Sequence, residues 1–178
     1  MKRNVRFPVQ ASLIAALYAT LTIMQNILLP GSASAAVQFR VSEVLAVLAL
    51  YTPAAIPGLF LGCIIANISS LAVLGPFDMI FGSAASLLAA LCMYALRNVR
   101  FLKLPILALL MPALFNGVIV GFEIEFFFVK IGFLDFLIQG GLVAVGELAV
   151  LFVLGIPLIK LIELNHLDKK YLKLSDKA

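Results

Sequence analysis

Long apolar runs, separated by short stretches of turn residues, divide this chain into six predicted helices. They cover residues 8–29, 39–50, 53–74, 78–96, 104–122 and 134–162, with a basic tail over 163–178. A helix of about 20 apolar residues crosses a hydrocarbon layer about 30 Å thick at about 1.5 Å per residue. The run 39–50 is short for that, so tilt or extension by the preceding loop is expected. Pro8 suits a first helical turn. Pro53 starts the third helix, and Pro57 and Gly58 should bend it. The breaks are a Gly/Ser/Ala loop at 30–38, Tyr51-Thr52-Pro53, Gly75-Pro76-Phe77-Asp78, and the basic turn holding Arg97, Arg100 and Lys103. The expected architecture is all-α: one six-helix transmembrane domain over residues 1–178.

Composition points the same way. Of 178 residues, 63% are hydrophobic and 12% charged, and the mean hydropathy is +1.14. A soluble domain has about a quarter of its residues charged. A core of this size cannot hide so much apolar surface from water, so the solvent of this chain is largely lipid. Cys63 and Cys92 lie inside apolar runs, as small packing residues with no disulfide framework. The one histidine, His166, lies in the tail, and no metal-ligand set is visible. Lys2, Arg3 and Arg6 before an apolar run imitate a signal peptide, but the run is too long and no polar domain follows, so it reads as a retained first helix.

Six helices place both termini on one side. Eleven of the 13 Lys and Arg residues fall there with three acids; the other side and the spans hold Arg40 and Lys130 with six acids. The positive-inside rule then places both termini in the cytoplasm. It also accounts for the +4 net charge without nucleic acid, because the bases mark topology. With that orientation the embedded polar residues gather in the outer half and at the midplane: Arg40, Glu43, Asn67, Asp78, Asn116, Glu123 and, midway along the last helix, Glu147. Charges inside a span are costly and mark function or a specific pair. Arg40 and Glu43, three apart on one helix face, either neutralise each other or meet a ligand. Asp78 either caps the fourth helix or joins the site. Spacing does not separate Glu123 from Glu125. A cavity open to the outside accounts for the set, and its acidity suits a cationic or donor-rich ligand. The loop 30–38 is either a cover for it or a linker, and the phenylalanines around 122–128 either pad an interface or meet a flat ring. Ala11, Ala15 and Ala19 form a small-residue stripe that packs against a neighbouring helix or against an external partner. Gly58 and Gly62, four apart, also allow close packing.

Arg40-x-Ser42-Glu43, the stretch from Tyr51-Thr-Pro through Ile56-Pro-Gly-Leu-Phe-Leu-Gly-Cys63, and Phe81-Gly-Ser resemble the QueT family, over roughly residues 8–162. QueT proteins are substrate-binding S-components of energy-coupling factor (ECF) transporters. The resemblance implies capture, from outside, of a queuosine precursor: queuine or a related 7-deazaguanine. It implies partnership with a transmembrane coupling protein and two ATPases, and toppling in the membrane to release substrate. It also makes Ala11, Ala15 and Ala19 similar to the docking motif of S-components. A guanine-like edge offers paired N–H donors to a carboxylate, an aminomethyl cation would meet another acid, and Phe or Tyr would stack on the ring. Glu43, Asp78, Asn116, Glu123 and Glu147 are the expected polar contacts, with Arg40 orienting Glu43 and Asn67 assisting. The chain has no P-loop, no cofactor motif and no catalytic constellation. The alternatives are an S-component for another vitamin-like metabolite, or a stand-alone proton-coupled carrier, although no inverted repeat is visible.

Overall fold

In a computed structural model of the protein, residues 3–30, 32, 39–71, 76–129 and 132–172 are described. Most of the loop 30–38 and the last six residues lie outside them, so the cover expected of that loop does too. Helix 1 is Arg3–Leu28, helix 2 Val41–Leu50, helix 3 Ala55–Asn67 and helix 4 Phe77–Ala95. Helix 5 is Ile106–Val129 and helix 6 Phe133–Leu164. Helices 1, 4, 5 and 6 are long and apolar enough to cross a membrane; helices 2 and 3 are shorter and apolar. No strand forms among the described residues.

Helix 1 begins five residues before its expected start, so Pro8 lies inside it. So close to the end, the missing proline N–H removes only one bond of the ladder. Helix 2 offsets part of its short length by its pitch. It is a 3₁₀ helix throughout its ten residues, with Glu43 N–H bonded to Arg40 O at 3.0 Å and Tyr51 N–H to Leu48 O at 3.0 Å. A 3₁₀ helix rises about 2.0 Å per residue, so ten residues reach about 20 Å. Its three-residue repeat stacks Glu43, Ala46 and Ala49 in one row, and all three are buried. Gln25 of helix 1 holds the start of helix 2: its amide donates to Phe39 O at 2.5 Å and accepts from Val41 N–H at 2.8 Å.

Helix 2 is the axis of the bundle and touches helices 1, 3, 4, 5 and 6. Helices 1 and 3, 3 and 4, 4 and 5, and 5 and 6 pack as neighbours around it. Small residues set the closest crossings. A Cβ on Gly58 would come within 2.8 Å of Ala11 O, and one on Gly62 within 2.8 Å of the Tyr18 Cβ. Helices 5 and 6 meet through Gly117, Gly121 and Gly140, where a Cβ on Gly121 would lie 2.6 Å from the Gly140 Cα. In lipid, where no hydrophobic force drives helices together, such contacts supply the van der Waals packing. The outer surface is apolar, with Leu13, Leu17, Ile65, Ile80, Leu114 and Val118 exposed. This is the reverse of a soluble bundle and suits a lipid solvent.

Candidate functional site: a buried carboxyl cluster

The two ends of the bundle are fixed by contacts. At the termini end, Thr52 donates to Gln10 at 3.0 Å and Tyr51 to Glu163 at 3.1 Å. At the opposite end, Gln25 holds the entry to helix 2. Arg40 lies just inside that opposite end, as the residue preceding the first turn of helix 2.

All seven polar residues expected at the site are buried, with exposures from 1% to 6%. The Arg40 guanidinium is their hub. It forms an ion pair with Asp78 at 3.8 Å, and its Nη1 approaches the Cys63 sulfur at 3.7 Å. Glu43, Glu123 and Glu147 all lie within electrostatic reach of it. Glu43 accepts a hydrogen bond from the Tyr18 hydroxyl. Asn67 donates to the Asp78 carbonyl at 2.9 Å, tying the end of helix 3 to the start of helix 4. Asn116 donates to Glu147 Oε1 at 2.8 Å, tying helix 5 to helix 6. Residues from helices 1, 3, 4, 5 and 6 thus converge on the first turn of helix 2.

The capping role open to Asp78 is not the one it takes. Pro76 occupies the cap position and no side chain bonds there; Asp78 sits in the first turn, turned inward to Arg40. Glu123 and Glu125 now separate. Glu123 is 2% exposed, whereas Glu125 is half-buried and accepts the Gly132 N–H at 2.5 Å. The residues of the small stripe, Ala11, Ala15 and Ala19, are buried, with Ala11 and Ala15 under Gly58 and Gly62 of helix 3. Internal packing against helix 3 is therefore a role that Ala11 and Ala15 fill. On helix 1 the small side chains left exposed are Ser12, Ala16 and Thr20.

Tyr18, Thr22 and Cys63 join the cluster beyond the residues expected there. Tyr18 is fully buried. Thr22 donates to Tyr18 O at 3.0 Å and lies 2.6 Å from the Ser42 hydroxyl, which must then supply the proton of that bond. A signal was present: Tyr18, Thr22 and Gln25 recur at helical spacing on one face of helix 1. Cys63, expected as a packing residue, also lies 3.6 Å from the Asn67 amide nitrogen, one turn along helix 3.

The chemistry of the cluster is lopsided. Four carboxyl groups surround one guanidinium. Glu123 Oε2, Glu147 Oε2 and Asn67 Oδ1 are buried with no hydrogen-bond donor to them among the described residues, and Asp78 Oδ2 has only the Arg40 guanidinium, at 3.8 Å. Buried acceptors without donors are costly; the amide oxygen can only accept, and so can the carboxyl groups when ionised. The cluster can take a ligand rich in N–H groups or carrying positive charge. Among the described residues no group of His, Cys, Asp and Glu is arranged to hold a metal ion.

Searches among curated proteins and among solved structures returned no match. A family model does match: residues 8–164 fit that of the QueT transporter. That span is most of the chain, it reaches all six helices and holds every member of the carboxyl cluster, and the protein therefore belongs to the QueT transporter family.

Proposed function

We propose that this protein is the substrate-capturing S-component of an ECF-type importer and that its ligand is a queuosine precursor, queuine or a related 7-deazaguanine. The observation that carries the reading is the set of buried carboxyl and amide oxygens without donors among the described residues, in a transporter-family chain. A guanine-like edge presents a ring N–H and an exocyclic amine side by side, which one carboxylate accepts together. An aminomethyl cation would meet a second carboxylate. Glu43, Asp78, Asn116, Glu123 and Glu147 are the proposed contacts. Arg40 holds Asp78, with Asn67 bracing the same turn, and Tyr18 fixes Glu43.

Both termini lie in the cytoplasm by the positive-inside rule, so the cluster faces the outer half of the cell membrane. A coupling protein and two ATPases supply the energy, since the chain has no P-loop of its own. The exposed Ser12, Ala16 and Thr20 offer the coupling protein a smooth face beside the stripe of Ala11, Ala15 and Ala19.

Calorimetry on the purified protein in detergent, without ATPase partners, tests the reading. Queuine, the aminomethyl deazaguanine, guanine and riboflavin are titrated in turn. Tight binding of a deazaguanine is expected, weakened about a hundredfold by Glu43→Gln or Glu147→Gln as a charge-assisted contact is lost. Folded protein that binds no deazapurine would sink the assignment. Binding of riboflavin alone would point to an S-component for another metabolite.

A further inference from the structure

Helix 2 ends on a second polar cluster, eight residues beyond Glu43. The Tyr51 hydroxyl donates to Glu163 Oε1 at 3.1 Å, and the same oxygen lies 2.7 Å from Arg100 Nη2. Three segments meet there: the end of helix 2, the turn between helices 4 and 5, and the last turn of helix 6. Tyr51 lies outside the spanning helices. Burial, and then the Glu163 carboxylate, push its hydroxyl above the usual phenol range, so it stays protonated and able to donate. A cavity of about 330 Å³ adjoins the three residues, with Arg97, Asn98 and Asp168 also in its wall.

The link between the two clusters is a stretch of backbone in an unusual state. Runs of 3₁₀ helix beyond three or four residues are uncommon and often mark a hinge; here there are ten. From Glu43 to Tyr51 this helix spans about 16 Å, whereas an α-helix of the same eight steps would span about 12 Å. Conversion toward α would therefore draw the two ends about 4 Å closer and turn them relative to each other. One end is bonded to Tyr18 through Glu43, the other to Glu163 through Tyr51. A change of pitch cannot leave both bonds intact.

We propose that helix 2 is a lever joining the carboxyl cluster to a termini-side latch made by Tyr51, Glu163 and Arg100, and that the latch must open for bound ligand to leave. The coupling to ligand rests on the carboxyl cluster being the ligand site; the latch itself does not. The ion pair of the latch is 37% exposed on both partners, and pairs that exposed are weak, as a contact broken in every cycle has to be.

The test uses the full chain in detergent, with Tyr51→Phe and Glu163→Gln as latch variants. Arg97→Gln is the control: Arg97 lines the same cavity but bonds the Tyr94 carbonyl and stacks on the Tyr94 ring. Two quantities are read: amide hydrogen exchange over residues 44–52 without ligand, and the dissociation rate of the aminomethyl deazaguanine. Each latch variant should speed both by about tenfold, the worth of one charge-assisted hydrogen bond, and the control neither. Unchanged exchange in folded Tyr51→Phe overturns the latch. Faster exchange with unchanged dissociation overturns the lever. Wild-type protein that binds no deazaguanine overturns the substrate reading, and the exchange comparison still decides the latch.

Discussion

The polar clusters at the two ends of helix 2 use the same residue types in opposite ways. Near its start, Arg40 and Asp78 pair at 3.8 Å with almost no exposure, and one oxygen each of Glu123 and Glu147 stands without a donor among the described residues. Near its end, Arg100 and Glu163 pair at 2.7 Å with 37% of each side chain in contact with solvent. The closer pair is the weaker one, because water already solvates both partners and the net gain on pairing is small. The wider pair has no water to fall back on, so removing either member strands a charge. Distance alone misjudges which contact holds the molecule together; burial decides it.

That contrast can be broken most sharply at Arg40. Arg40→Met should cost about 3–5 kcal/mol, since the carboxyl cluster loses its buried guanidinium; the thermal midpoint in detergent measures it. Tyr18→Phe keeps the ring in its fully buried place and removes only the donor to Glu43. A loss of about 1–3 kcal/mol is expected, with weaker ligand binding at unchanged overall fold. At the other end, Arg100→Ala should move the midpoint by no more than about 1 kcal/mol equivalent. Salt sharpens the comparison further. At about 1 M ionic strength the screening length is about 3 Å, so the small effect of Arg100→Ala should vanish while that of Arg40→Met persists. Equal sensitivity to salt at both ends would contradict the burial argument.

Much of the cluster was legible in the sequence because lipid makes polar residues conspicuous. Arg40, Glu43, Asn67, Asp78, Asn116, Glu123 and Glu147 stand out from apolar runs, and all seven are buried together. Tyr18 did not stand out, because a tyrosine passes for an ordinary apolar residue until its hydroxyl meets Glu43. The alanine stripe on helix 1 fitted two roles, internal packing more readily than an external partner. The approach of Gly58 and Gly62 to Ala11 and Ala15 shows the packing, and that is a property of two helices at once. The 3₁₀ pitch of helix 2 was hidden for a related reason: residues three apart share a face in either helix type, so the pattern of Arg40 and Glu43 is common to both.

Helix 6 carries a π-helical segment over Leu151–Gly155, against helix 2, where Gly155 lies close to Val47. A π turn amounts to one inserted residue, and its consequence is one of phase. In an unbroken α-helix the 16 steps from Glu147 to Glu163 would leave the two glutamates about 160° apart at about 100° per step. With one step absorbed they stand only about 60° apart, so that one helix serves the carboxyl cluster and the Tyr51 contact from nearly the same side. Deleting a single residue between 151 and 155 should therefore leave helix 6 more regular and less useful: Glu147 would keep its place beside Asn116, and Glu163 would swing out of reach of Tyr51 and Arg100. Exchange over residues 44–52 in such a deletion variant should match that of Tyr51→Phe.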